Sequence, residues 1–163
     1  MRKKTVSVGL ELLFTLLMAG VLSSRAATFT WVNPNSGDWS NPANWSSSGG
    51  PGVPGAQDTA IITNEDVTVT LDGATTVGGI ILGNGSAGVV TLSLAGRTLA
   101  LNGPLTVNPS GSFTVDGGEL VGNTNAVLSG EIGWTGGLLG GTLTLSGDAT
   151  LTAEGAGYLD MPN

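Results

Sequence analysis

The chain contains no cysteine and no histidine. The first absence removes disulfides and thiolates; the second removes the usual general base and imidazole ligands. Ser-His-Asp and Cys-His nucleophile systems and an ordinary zinc site are therefore excluded. Charge is also scarce, at 10% of residues, and aromatics make up only 5%. Five basic residues stand against 12 acidic ones, and four of the five (Arg2, Lys3, Lys4, Arg25) fall within 1–26 together with Glu11. Beyond Ala26 a single base, Arg97, faces 11 acids (12 less Glu11). Such a surface repels phosphate backbones and anionic headgroups. It argues against nucleic-acid binding and against membrane insertion of the mature chain.

Glycine is abundant: 28 Gly and 7 Pro in 163 residues, about a fifth of the chain. That composition points to a turn-rich β architecture or a low-complexity chain. A hydrophobic share of 40% with mean hydropathy of +0.26 argues against disorder. The length suits one domain.

Residues 1–26 read as an export signal. Met1-Arg-Lys-Lys4 is a basic start, Leu12 to Leu22 is an apolar run interrupted by Thr15 and Gly20, and Ser24 and Ala26 are the small residues that signal peptidase prefers. Cleavage is expected after Ala26. The run is short for a span of about 20 apolar residues, so an uncleaved anchor is the weaker reading.

Three of the four tryptophans crowd the start of the mature chain, at Trp31, Trp39 and Trp45, with turn signals Asn33-Pro34, Ser36-Gly37 and Asn41-Pro42 between them. Residues 27–60 are read as a Trp-rich cap and loop, in which each ring seals an exposed core. The alternative makes Trp31, Trp39 and Trp45 a sugar-stacking platform helped by Asn33, Asn35, Asp38 and Asn44.

From residue 65 onward a strand-turn unit recurs: Val67-Thr-Val69-Thr-Leu71-Asp-Gly73, Leu92-Ser-Leu94-Ala-Gly96, Leu99-Ala-Leu101-Asn-Gly103, Leu105-Thr-Val107, Phe113-Thr-Val115-Asp-Gly117, Leu143-Thr-Leu145-Ser-Gly147 and Leu151-Thr-Ala153. The period of two marks strands with one buried face, and Gly, Asn and Asp end them in turns. No window after the signal has a helical period. The strands start close together, at Leu92, Leu99, Leu105 and Phe113. Hairpin sandwiches space their strands more widely, by about 8–12 residues. Three such short steps instead make a coil of roughly 18–24 residues, a solenoid period. Residues 61–163 are expected to form a right-handed parallel β-helix. An antiparallel β-sandwich is the alternative. A solenoid needs caps, and Tyr158 to Asn163 offers none, so the chain is expected to be the N-terminal part of a longer protein and to self-associate through its open end.

The pattern Trp31…Gly37-Asp-Trp39…Asn44-Trp45…Pro51-Gly-Val-Pro-Gly55…Asp58-Thr-Ala-Ile61 resembles the start of the passenger region in large bacterial secreted surface proteins. These include autotransporter-type adhesins and exported proteins with PEP-CTERM sorting tails. The resemblance covers about residues 31–73, and beyond it only the texture of Gly/Leu/Thr-rich rungs is shared. It implies a right-handed parallel β-helix and a cell-surface or matrix role.

Other chemistries find little support. Lyases on β-helices generally use Lys or Arg beside the abstracted proton, and Arg97 sits in a turn. Asp116 with Glu119, or Glu65 with Asp66, could supply the carboxylate pair of a hydrolase, yet both stand at turns. Asp58, Glu65, Asp66 and Asp72 could ligate calcium, without the repeated signature of a calcium β-roll. Gly83-Asn-Gly-Ser-Ala-Gly88 lacks the Lys and following helix of a phosphate loop. Asn44-Trp-Ser46 and Asn84-Gly-Ser86 match a glycosylation acceptor by chance spacing. The expectation is a noncatalytic, secreted or cell-surface β-solenoid with no cofactor and no metal. Its partners are surface glycans or further copies of itself; a carbohydrate-binding or carbohydrate-active β-helix is the alternative.

Overall fold

The structure is a computed structural model that describes residues 25–86, 88–122, 125–140, 142–145, 150–153 and 157–160. The expected signal, apart from Arg25 and Ala26, and the chain end at Asn163 lie outside the described residues. Alternating apolar and polar residues build short strands that stack, coil on coil, into a parallel β-solenoid. The chain opens with β1 (Thr28–Trp31), β2 (Gly37–Asp38), a 3-10 turn at Pro42–Asn44 and β3 (Trp45–Ser47). The next coil holds β4 (Thr59–Ile62), β5 (Val67–Thr70) and β6 (Thr75–Val77), followed by β7 (Gly79–Leu82), β8 (Val90–Ser93) and β9 (Thr98–Leu101). Then come β10 (Leu105–Val107) with β11 (Gly111–Gly122), and β12 (Asn125–Leu128) with β13 (Glu131–Gly140). The last described coil is β14 (Thr142–Leu145), β15 (Thr150–Ala153) and β16 (Gly157–Asp160).

Three faces result. Face one stacks β1, β4, β7, β10, β12 and β14; face two stacks β2, β5, β8, the first halves of β11 and β13, and β15. Face three stacks β6, β9, the second halves of β11 and β13, and β16. All of these pairs are parallel, and β1 with β3 is the single antiparallel pair among the described strands. The antiparallel sandwich is thereby ruled out. Phe113 lies opposite Leu92, so the three short steps from Leu92 through Leu99 and Leu105 close one full coil. Leu99, Leu101 and Phe113 are fully buried.

The cap reading of 27–60 needs refinement. β1 and β2 already belong to the ladders, pairing in parallel with β4 and β5, and β4 begins at Thr59. Only the stretch around Pro42–Ser47 lies across the end, where β3 turns back along β1. The Gly117 unit also differs from expectation. The chain does not end its strand there but bends through Gly117 (φ 79°) and continues as β11 on face three.

Each corner of the triangle is held by its own chemistry. Between faces one and two, asparagine side chains climb from coil to coil. Asn64 Nδ2 donates to the Asn33 carbonyl at 3.1 Å, Asn84 Nδ2 to that of Thr63 at 3.3 Å and Asn108 Nδ2 to that of Gly83 at 2.7 Å. Between faces two and three, aspartates reach back one coil: Asp72 to Ser40, and Asp116 to the Ser93 hydroxyl (3.0 Å) and the Ala95 N–H (2.6 Å). Between faces three and one, glycines allow coils to touch. A Cβ on Gly103 would run into the Gly78 carbonyl oxygen.

Candidate functional site

The end of the solenoid at residues 28–54 gathers the features singled out in the sequence. Trp31 follows Thr30, the partner of Ile61, and so stands over the inward column Ile62, Leu82, Val107. Trp39 N–H donates to the Thr70 carbonyl, Leu71 N–H to that of Ser93 and Leu94 N–H to that of Thr114. Trp39 therefore tops the column Leu71, Leu94. Trp45 lies across from Trp31 in the β1–β3 pair. Its ring meets Trp31 edge-on at 5.1 Å and Trp39 at 4.8 Å, and its Nε1 donates to the Trp39 carbonyl at 2.8 Å. Buried Asn44 donates to the Asp38 carbonyl and accepts from Asn33, closing the turn around the three rings.

The stacking platform is corrected by this geometry. A sugar-stacking ring must offer a free face, whereas Trp31, Trp39 and Trp45 are 1%, 2% and 5% exposed. Their faces are spent on the core. Of the polar helpers, Asn33 and Asn44 bind each other and the local backbone, while Asp38 and Asn35 stay exposed beside them.

A feature that the sequence does not single out is a cleft of about 440 Å³ between the loop after β3 and the corner that joins faces two and three. Val53, Pro54, Ala74 and the edge of Trp39 supply apolar wall; Ser40, Asp72, Thr75 and Thr76 supply polar atoms. Asp72 is exposed and accepts from both the Ser40 N–H and its hydroxyl. The Ser40 hydroxyl, more than any other influence, lowers the Asp72 pKa from its ordinary 3.8. The cleft thus holds a carboxylate ionised at neutral pH on a half-apolar floor. Its composition suits a small polar molecule with one apolar side. The only cue for it in the sequence is the Asp72-Gly73 turn, distant from Ser40 along the chain but one coil above it.

The depressed pKa has a direct consequence. The group favours its charged form when folded, so its contribution is present above pH 3.8 and is lost as pH falls through the lower folded value. Thermal melts of the wild type should drop below about pH 4, with a shallower acid limb in Asp72→Asn. The difference will be small, because an exposed pair is screened by solvent. Identical acid limbs would mean that the bond to Ser40 is not formed in solution.

Most of the remaining candidates find structural partners. Asn84 and Gly85 N–H groups both donate to the Ser110 hydroxyl, at 3.0 and 3.1 Å, so the Gly83–Gly88 loop spends on its neighbour coil the donors a phosphate would need. Arg97 closes a tight turn, its N–H donating to the Leu94 carbonyl across Ala95 (φ 47°) and Gly96 (φ 74°). Asp116 bonds backbone and serine, and Glu119 is exposed on the next segment. Asp66 accepts from Val89 N–H, and Asp58 from Ala27 and Gly55 N–H. Among the described residues no three such groups converge as metal ligands. Comparison with known protein families, with curated proteins and with solved structures finds no match.

Proposed function

We propose that this chain is a secreted or cell-surface, noncatalytic β-solenoid that acts by presenting a rigid face to another surface, as an adhesin or a structural surface component. One observation carries the reading: face two bears hydroxyls in registered columns. Thr68, Thr91 and Ser112 form one column, and Thr70 and Thr114 flank Ser93, whose hydroxyl is bonded to Asp116, in the next. They repeat at the spacing between strands, about 4.8 Å. Their backbone is held on the core side by fully buried Val69, Leu92 and Phe113. A grid of small polar groups on a stiff support forgoes little conformational entropy on contact. Of the acids that could have served chemistry, Asp58, Asp66, Asp72 and Asp116 are each bonded to a neighbouring coil.

Export through residues 1–26 puts this face outside the cell. Partners in this reading are surface glycans, with self-association through the last coil as a second contact. The likeness to passenger regions of autotransporter adhesins and PEP-CTERM proteins belongs to the same proposal, resting on the Trp31–Gly73 pattern. The fluorescently labelled exported protein should adsorb to polysaccharide-coated or cell surfaces. Thr68→Lys, Thr91→Lys and Thr114→Lys together should remove at least about nine-tenths of that adsorption, while the melting temperature stays within a few degrees, as surface changes do. Equal adsorption by the triple variant would overturn the role of face two.

The cleft beside Trp39 favours a second reading, a carbohydrate-binding module. Titration with oligosaccharides should then quench tryptophan emission, and Asp72→Ala should abolish the quenching. No response to any oligosaccharide removes this reading and leaves the first untouched.

A further inference from the structure

The residue that would become the N-terminus after export is already placed against a carboxylate. The Ala27 N–H donates to Asp58 Oδ1 at 2.8 Å, while Asp58 Oδ2 accepts from Gly55 N–H at 2.8 Å. Thr59 N–H returns a bond to the Ala27 carbonyl at 2.9 Å, which starts the β1–β4 ladder. Arg25 and Ala26 are exposed, whereas Ala27 is half-buried. Arg25, Ala26 and Ala27 border an open cleft of about 320 Å³ whose other wall is Ser48 and Gly49. Among the described residues the ladder therefore begins at Ala27, with Arg25 and Ala26 exposed before it.

We propose that Asp58 is the receptor for the processed N-terminus, so that cleavage after Ala26 converts an amide hydrogen bond into an ion pair that locks the first rung onto the second. In the cleavage, water adds across the Ala26–Ala27 peptide bond. The C–N bond breaks, Ala26 leaves with a new carboxylate, and Ala27 keeps the nitrogen and takes up a proton. An α-amine, with an ordinary pKa of about 7.7–8.0, is largely an ammonium at neutral pH. A charged donor to a carboxylate makes a bond about twice as strong as a neutral one. The charge balance makes the site distinctive. Once the segment 1–26 leaves, Arg97 is the one basic side chain in the sequence, and it lies in the turn after Leu94. The new ammonium is the other cation within residues 27–163, and Asp58 is the acid placed to meet it.

The proposal rests on the export reading of residues 1–26, and the experiment separates the two. Both lysines, Lys3 and Lys4, lie in the signal, so the α-amine is the only primary amine within residues 27–163, and peptide mapping of the acylated protein reads it at Ala27. Mass spectrometry of the exported protein should give Ala27 as the first residue. Acylation by acetic anhydride near pH 7 should be on the order of tenfold slower in the wild type than in Asp58→Asn, the effect of about one pKa unit. The acetylated wild type should melt about 3 °C or more below the free-amine form, and in Asp58→Asn acetylation should change nothing. The wild-type comparison needs no variant, so the test stands even if Asp58→Asn fails to fold. A first residue other than Ala27 overturns the processing site and the ion pair with it. Ala27 at the start, with acylation and melting indifferent to Asp58, overturns the ion pair and leaves export intact.

Discussion

Gly137→Ala should cost about 3–5 kcal/mol and lower the melting temperature by on the order of 10 °C or more. Gly137 lies where β13 bends from face two to face three, with φ at 91°. An alanine there carries two penalties. The left-handed backbone region disfavours a Cβ by about 1–3 kcal/mol. The added Cβ would also run into the Gly118 carbonyl oxygen of the coil below, which is backbone and cannot rotate away. Relief requires the two coils to part at that corner, which breaks the registered pairs Glu119–Leu138 and Leu120–Leu139. Gly73→Ala is the control. Gly73 has no positive φ, and nothing lies within 4 Å of a Cβ built on it, so its effect should stay within about 0.5 kcal/mol. Chemical denaturation of the two variants checks the pair. If Gly137→Ala is as stable as Gly73→Ala, the coils are not in contact at this corner.

Much of the architecture is legible in the sequence because a solenoid repeats its physics locally. Leu92, Leu99, Leu105 and Phe113 are spaced by one face each, and the same alternation serves every coil. The coil 125–140 escapes such a reading for the opposite reason. Gly133, Gly136, Gly137 and Gly140 interrupt the alternation of Glu131-Ile-Gly-Trp134, although Ile132 and Trp134 still point inward. Glycine erases the pattern where the backbone must bend. The strands Thr75–Val77 and Gly79–Leu82 escape it because they are too short to show a period.

The site is less legible than the fold, since it depends on what lies one coil away. Asp72 and Ser40 are far apart in sequence and joined in space. Asn64, Asn84 and Asn108 share no signal along the sequence, yet they form a ladder because the coil length returns each to the same corner. Coil lengths are also irregular. Ala60 is paired with Ile80 and Ile80 with Leu105, so the second step along the chain is longer than the first by five positions. That irregularity hides such columns from a fixed-period search. The extra length loops out at corners, leaving the faces in register. The division keeps the strands of face two in register between β5, β8 and the first half of β11 while insertions are absorbed elsewhere.

Trp45→Ala should be the most damaging change at the capped end, at about 3–5 kcal/mol. Burying a tryptophan removes about 150–250 Å² from water, which at about 25 cal/mol per Å² is roughly 4–6 kcal/mol. Against this, the buried Nε1 atoms of Trp31, Trp39 and Trp134 have no acceptor among the described residues, at about 1–3 kcal/mol each. The rings stay inside because the apolar gain is the larger number. Trp45 alone among the three cap rings also satisfies its N–H, on the Trp39 carbonyl, and it is the ring that touches both others. Its loss opens a cavity between Trp31 and Trp39 and strands that carbonyl, whereas Trp45→Phe keeps part of the packing and should cost about half as much. Each coil contacts only its neighbours, so damage should start at the end and spread inward. In hydrogen exchange of Trp45→Ala, the amides of β1 and β4 should lose protection before those of β8 and β11. A cost below about 1 kcal/mol, or uniform loss of protection, would mean that the rings do not close the end of the solenoid. They would then be free to stack on a ligand after all.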